Sequence, residues 1–339
     1  MSDVFGLGII GCGDFLRWQQ NDILDSTRVK TVALYDTQPE RARKYAEKLG
    51  GRVAASVDEI LDDPEISVVC LFVPPWVRAG LVARTAKAGK HIITTKPLAA
   101  KVDEATAMVK AVHDAGIKCT VFYRRTGMIE IDALRDLFIQ GDIGKLGMFK
   151  EDWFHHYPTW NDWATDPERN GGPFMDAMVH NLNIARYLAH RDVAAVTFFS
   201  DNHAQKLKCN DTEMMKVDFE GGASAYLFIT WAGDLKVFSN EGNDREHVDY
   251  TTIISDQGWN ISFGKGDSGR MIKACKDDEE RTFPIPPASG TPFDRFIAAV
   301  ESGSEIPWDI IDAWKDIKLL DVATRHVGVQ CSPDLTPPV

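Results

Sequence analysis

Between residues 4 and 123 the chain repeats a pattern that few folds can satisfy. Short, mainly apolar runs at 4–10, 29–35, 68–73, 91–95 and 118–123 are each separated from the next by segments of helical spacing. Those segments include "DFLRWQQNDIL", "QPERARKYAEKLG", "SVDEILDD", "VRAGLVARTAKAG" and "KVDEATAMVKAVHDAG", and two of them end in Gly89 and Gly116, the residue that best tolerates the left-handed turn after a helix. Strands that are apolar on both faces and joined by helix-length crossovers predict a parallel sheet covered on both sides.

Two glycine sets compete for the turn after the first strand. Gly6-Leu7-Gly8-Ile9-Ile10-Gly11 is a literal G-x-G-x-x-G, whereas the set that starts at Gly11-Cys12-Gly13 meets Leu16 at its last position. A turn at Gly6 would leave a strand of two residues, Val4 and Phe5, so the turn is placed at Gly11. Gly11 then makes the tight bend, and Gly13 lets the backbone approach a pyrophosphate seated on the N-terminus of the next helix. The second strand ends in "VALYD", which sets Asp36 about 20 residues beyond the glycines, where a carboxylate accepts from the adenosine ribose hydroxyls. A carboxylate there repels a 2′-phosphate and favours NAD over NADP, although Arg41 leaves room for NADP and Asp36 could instead cap the helix that starts at Pro39. Asp14, Phe15 and Pro74 complete the candidate cofactor contacts.

A chain of 339 residues exceeds what one hydrophobic core usually serves, so two domains are expected. The net charge of −12 argues against nucleic acid, which is met with clustered Lys and Arg. Cysteines at 12, 70, 119, 209, 275 and 331 form no C-x-x-C pair, which argues against both a zinc cluster and a disulfide framework. No apolar run approaches the ~20 residues of a membrane span, and "MSDVFGLGIIG" lacks the basic start of a secretion signal, so a cytoplasmic protein is expected.

Three later stretches, "AGKHIITTKPLA" (88–99), "QGDIGKLG" (140–147) and "NGGPFMDAMVHNLN" (170–183), together with the Gly11/Gly13 turn, resemble the Gfo/Idh/MocA family. This is the glucose–fructose oxidoreductase, inositol dehydrogenase and rhizopine catabolism group. The resemblance runs from about residue 4 to about residue 328. It implies an α/β chain in which an NAD-binding Rossmann domain at 1–123 joins a substrate-binding and oligomerisation domain at 124–339, built on a large, open, mainly antiparallel sheet. The residues themselves agree: "LGMFKEDWFH", "VAAVTFFSD", "MMKVDFE-GG-ASAYLFITWAG" and "VDYTTIISD-QG-WNISFG" read as strands, two pairs of them joined by hairpin-type turns. The late helices "PFDRFIAAVESG" and "DIIDAWKDIKLLDVATRHVG" resemble the two that close the family's second domain. A bare apolar sheet face needs a cover, which the family often supplies by pairing sheets into homodimers or homotetramers.

The resemblance also implies the chemistry. Lys96 in "TTKP" matches the lysine of the family's Glu-Lys-Pro and is placed beside the nicotinamide, where its ammonium hydrogen-bonds the reacting hydroxyl; Thr95 replaces the usual carboxylate, and the bond to Pro97 is frequently cis in the family. Asp176 and His180 fall on one helix face and match D-x-x-x-H residue for residue, so His180 takes the substrate proton while Asp176 orients the imidazole or a hydroxyl. Asn183 stands where relatives often carry a further Asp.

The segment 153–172 is dense in aromatic and polar groups: Trp153, Tyr157, Trp160 and Trp163 offer flat apolar faces, and His156 and Asp162 offer hydrogen bonds, the combination sugars and cyclitols want. Tyr157 and Trp163 join Lys96, Asp176 and His180 as candidate substrate contacts. Arg124 and Arg125 either attract an acidic sugar or stabilise the domain junction. Adjacent His155 and His156 on a strand point to opposite faces, and no H-E-x-x-H spacing occurs, so no metal site is expected. The expected activity is NAD-dependent oxidation of a secondary hydroxyl on a small carbohydrate or cyclitol. Its rivals are a redox-neutral, NAD-using glycoside-processing enzyme and a catalytically silent dinucleotide sensor.

Overall fold

The computed structural model describes residues 4–155, 163–233, 247–266 and 269–339, and the chain divides into two compact units. The first comprises Met1–Thr126, Ala288–Ile317 and Pro337–Val339, the second Gly127–Pro287 and Lys318–Thr336.

The first unit holds β1 (Phe5–Ile10), β2 (Val29–Tyr35), β3 (Arg52–Val53), β4 (Val68–Leu71), β5 (His91–Thr95) and β6 (Cys119–Phe122) in the order β3-β2-β1-β4-β5-β6. All pairings are parallel, so every crossover is a loop with a helix: α1 (Asp14–Asp25), α2 (Pro39–Leu49), α3 (Val57–Leu61), α4 (Pro75–Lys87) and α5 (Val102–Asp114). This is the doubly wound arrangement that the strand pattern predicts. The added edge strand β3, two residues long, is too short to leave a periodic signal. Gly6 and Gly8 lie inside β1, where a Cβ would fall 1.9 Å from the Glu65 carbonyl oxygen and 2.4 Å from the Ile60 side chain. The literal G-x-G-x-x-G therefore serves close packing inside the sheet rather than a phosphate.

One segment lies elsewhere than the resemblance places it. With the boundary at residue 123, residues 288–317 belong to the second domain, yet they pack into the first unit. Helix α8 (Pro292–Ser302) starts with a capping box between Thr291 and Asp294, and its Phe293, Phe296 and Ile297 are fully buried in one cluster with Leu7, Ile9 and Phe122. The chain then reaches back to β6, where the Val121 amide donates to the Trp308 carbonyl at 2.8 Å. The physical reason is burial: three large apolar side chains on one face of α8 find their partners on β1 and β6.

The second unit is built on β7 (Leu146–His155), β8 (Val193–Asp201), β9 (Thr212–Phe219), β10 (Ser224–Thr230), β11 (His247–Ser255), β12 (Asn260–Gly266), β13 (Gly269–Lys276) and β14 (Glu279–Pro284), in the order β14-β13-β12-β11-β7-β10-β9-β8. Among these pairings β10–β7 is parallel and the others are antiparallel. Hairpin turns fall at Gly221-Gly222 and at Gln257-Gly258, as expected, with left-handed φ values of 77° and 101° at the first and 85° at Gly258. The β13–β14 hairpin is an addition; it turns at Asp277 with φ 51°, without a glycine, and its charges leave an apolar alternation only at Ile272 and Ala274, which are buried.

Helix α6 (Ile129–Gln140) and helix α7 (Val179–Ala189) lie on one side of this sheet, and the late helix α9 is Ile310–Arg325. Strand alternation sends Met215, Val217, Leu227, Ile229 and Phe198 inward. On the opposite face Phe199, Met214 and Tyr226 keep about two-fifths of their surface exposed, interleaved with the pair Lys216–Asp218.

Candidate active site

In the first unit the carboxyl ends of β1, β2, β4 and β5 carry the predicted cofactor residues. Gly11 follows β1 with φ +96°, and a Cβ on it would lie 2.4 Å from the Phe72 carbonyl oxygen, so both conformation and space require glycine. Gly13 differs: its φ is −90° and nothing lies within 4 Å of a Cβ placed there. It is the N-cap of α1 and supplies no side-chain cap, which leaves the first-turn amides pointing outward for an anion. Leu16, in the position of the motif's last glycine, is fully buried in the core beneath the turn.

Asp36 closes the turn from the side. Its Oδ2 accepts from the Cys12 amide at 2.7 Å and its Oδ1 accepts from the Gln38 amide at 2.8 Å. Each oxygen retains a lone pair, so the carboxylate can brace the glycine turn, hold the approach to α2 and still accept from hydroxyl donors. The Cys12 thiol is pushed up to about 12, first by burial and then by the Asp36 charge, and so is inert. Phe15 packs edge-on against Phe72 with ring centres 4.9 Å apart, Asp14 is exposed beside Arg17, and Pro74 is the exposed N-cap of α4.

Lys96 follows β5, is half-buried, and its bond to Pro97 is cis. The loop around it is gripped by a residue that sequence reasoning missed. Arg78 on α4 is 1% exposed; its Nη1 donates to the carbonyls of Thr95 (2.7 Å), Leu98 (3.2 Å) and Pro97, and its Nη2 donates to that of Val73 (2.6 Å). Burial pulls its pKa down to about 9, which still leaves it charged at neutral pH. A guanidinium fork is the side chain that can satisfy several converging carbonyls at once. The Thr95 hydroxyl donates to the Phe122 carbonyl at 3.2 Å, so it is committed to the sheet rather than to its neighbour Lys96.

In the second unit the chain turns at Gly171 and Gly172, with φ values of 92° and 96°, and enters a π-helical turn at Phe174–Met178 that runs on into α7. Such wide turns recur at functional sites because they re-aim side chains within a helix. Around Asp176 and His180 the side chains of Phe174, Met175, Ala177, Met178 and Val179 are buried, while these two remain half-buried. The Asp176 Oδ1 accepts from Nδ2 of the fully buried Asn170 at 2.9 Å, and that amide group also donates to the Ala164 carbonyl at 3.2 Å. Asn183 is fully buried within the unit.

Beneath the turn lies Glu213 on β9. It is buried, its Oε2 accepts from the Phe174 amide at 2.7 Å, and desolvation pushes its pKa up to about 7. A signal for it was present: in "TEMMKVDF" the period of two puts Glu213 on the same face as Met215 and Val217.

Trp163 is half-buried in the turn before this segment. Trp153 is buried and donates from Nε1 to Glu151 at 2.8 Å. Arg125 is buried in the first unit, 3.6 Å from Asp312, whereas Arg124 is exposed. Tyr157, Trp160, His156 and Asp162 lie outside the described residues.

Residues 5–123 match the family model described as "Oxidoreductase family, NAD-binding Rossmann fold", and residues 131–241 match the "GFO/IDH/MocA C-terminal domain". The 1,5-anhydro-D-fructose reductase of Ensifer adhaerens is 27% identical over 224 residues, 64% of this chain and 67% of the relative. The chain spans about two thirds of the length of the first curated relatives it matches. The inositol 2-dehydrogenase of Rhizobium meliloti (strain 1021) is 24% identical over 348 residues, 95% of this chain and 96% of the relative. The structure of an aldose-aldose oxidoreductase from Caulobacter crescentus, complexed with glycerol, shares the fold with a TM-score of 0.81 at 21% identity, over 97% of this chain and 99% of that one.

Proposed function

The chain belongs to the Gfo/Idh/MocA oxidoreductase family, and from that premise we propose that it oxidises a secondary hydroxyl of a sugar, sugar derivative or cyclitol in the cytoplasm, with NAD as the partner. The observation that carries the reading is the conjunction of a tight Gly11 turn, an uncapped α1 N-terminus at Gly13 and a carboxylate at Asp36. These residues fit a dinucleotide: the open space over Gly13 accommodates a pyrophosphate, and Asp36 supplies acceptors for ribose hydroxyls while disfavouring a 2′-phosphate. Asp14, Phe15, Pro74 and Lys96 complete the cofactor contacts in this reading. When bound, NAD supplies the hydride acceptor.

The chain's own residues manage the proton. His180 takes the substrate hydroxyl proton, a task suited to an imidazole. Asp176, held by Asn170, orients the imidazole or a neighbouring hydroxyl. The Lys96 ammonium hydrogen-bonds the reacting oxygen from a loop that Arg78 keeps rigid. Trp163 and Tyr157 contribute apolar ring faces to the sugar. The exposed Phe199, Met214 and Tyr226 support a homodimer or homotetramer formed through the open sheet face.

The test is NADH formation from a panel of aldoses, inositols, uronic acids and glycosides, with NAD and NADP run separately and Lys96→Ala and His180→Ala as controls. Turnover that favours NAD and collapses in both variants is the expected outcome. Turnover that survives either substitution would remove that residue from the mechanism, and silence across the panel would overturn the dehydrogenase reading for those substrates.

A further inference from the structure

Glu213 takes no part in the roles assigned above, yet its position is costly. The residue is 6% exposed, and among the described residues no ion pair holds its carboxyl group. Its partners are two donors, the Phe174 amide at 2.7 Å on Oε2 and the Ser200 hydroxyl at 3.3 Å on Oε1. Across the sheet Ser200 on β8 and Ile229 on β10 stand opposite it. A Cβ on Gly172 would lie 3.3 Å from Oε1, so the group is wedged directly under the glycine turn. The titratable groups around it are the Cys209 thiol, pushed up to about 12 by burial and then by the Glu213 charge, and Asp176 and Asp211, whose charges are felt at that same thiol. None of these supplies a positive charge, and at Glu213 burial outweighs the two hydrogen bonds that favour the ionised form.

A buried carboxyl group with no cation persists where its hydrogen bonds do something an apolar residue cannot. The bond to Phe174 ties down the first amide of the π-helical turn, two residues before Asp176 and six before His180. We propose that Glu213 is a positioning residue for the reaction: through the Phe174 amide it fixes the turn from which Asp176 and His180 project. The proposal rests on the oxidoreductase reading above. The grip has two strengths, because a charged acceptor holds an amide about twice as firmly as a neutral one. The turn is held more tightly once Glu213 ionises, which happens near neutral pH.

The experiment uses the full chain and Glu213→Gln, which keeps shape and an acceptor oxygen but cannot ionise. In isotope-labelled protein the Phe174 amide resonance is followed from pH 5.5 to 9. It should shift with an inflection near pH 7 in the unsubstituted protein and show none in Glu213→Gln. With the substrate found in the NADH panel, kcat of the variant should match the unsubstituted protein at pH 5.5 and fall about threefold to tenfold below it at pH 8, with KM for NAD unchanged. Identical titration of the Phe174 amide in both proteins, or identical kcat profiles, would overturn the proposal. A panel on which the unsubstituted protein makes no NADH defeats the oxidoreductase reading alone, since the amide titration still decides whether Glu213 grips the turn.

Discussion

The Asp36 carboxylate accepts a 2.7 Å hydrogen bond from the Cys12 amide, 24 residues earlier in the chain, so the tip of β2 braces the glycine turn after β1. The candidate ribose acceptor is thus also a structural element of the glycine turn.

Asp36→Ala should therefore do two things. NADH affinity, read by fluorescence titration, should fall by about tenfold or more from lost hydroxyl acceptors, and the preference for NAD over NADP should shrink or reverse. Thermal stability should also drop by about 1 kcal/mol, because the Cys12 amide loses its partner. Unchanged cofactor preference would show that Asp36 acts as a brace alone.

Gly11 and Gly13 should separate folding from binding. Gly11→Ala forces a Cβ to 2.4 Å from the Phe72 carbonyl at φ +96° and should destabilise the protein by roughly 3 kcal/mol. Gly13→Ala meets no atom within 4 Å, so its melting temperature should stay near that of the unsubstituted protein while NADH binding weakens, since the methyl group occupies the space given to the pyrophosphate. Undiminished binding in Gly13→Ala would move the phosphate elsewhere.

Arg78→Lys should not behave as a conservative change. A lysine ammonium cannot reach the carbonyls of Val73, Thr95, Pro97 and Leu98 together, so buried acceptors are left without donors. Denaturant titration should show a loss of roughly 3 kcal/mol. Stability equal to the unsubstituted protein would mean that the loop around Lys96 holds itself.

Glu213 should make stability depend on pH in a direction opposite to that of a salt-bridged acid. Its folded pKa, about 7, lies above the ordinary carboxyl value of 4.5, so the folded state binds the extra proton between those values. Stability from this group is complete below about pH 4.5, declines as pH rises, and is lost once pH passes 7, a span worth roughly 3 kcal/mol at most. Glu213→Gln should accordingly gain relative stability between pH 5 and 8, measured by denaturant midpoints. A constant difference across that range would show that Glu213 is ionised throughout.

The strand at Leu146–His155 and the strand at Val193–Asp201 coincide with the runs read from sequence, and the turns at Gly11, Gly221-Gly222 and Gln257-Gly258 fall where glycine predicted them. Those features were legible because each is encoded within one stretch of chain, as an apolar period or as a residue type the backbone geometry demands. The β13–β14 hairpin was not, because it turns at Asp277 rather than at a glycine and its apolar alternation is only Ile272 and Ala274, too short to stand out.

The sequence by itself determined the parallel sheet and the choice of Gly11 over Gly6 for the turn. Tertiary structure alone decided what environment each charged group meets. Nothing local in the chain separates Arg78 from a surface arginine on a helix, yet its partners are the carbonyls of Val73, Thr95, Pro97 and Leu98. Glu213 finds its donor 39 residues away at Phe174, and α8 finds its core on strands near the start of the chain. The free energy of a charge depends on the water removed around it and on the dipoles that replace that water. Segments far apart in sequence set both quantities, and they come together only when the chain is folded.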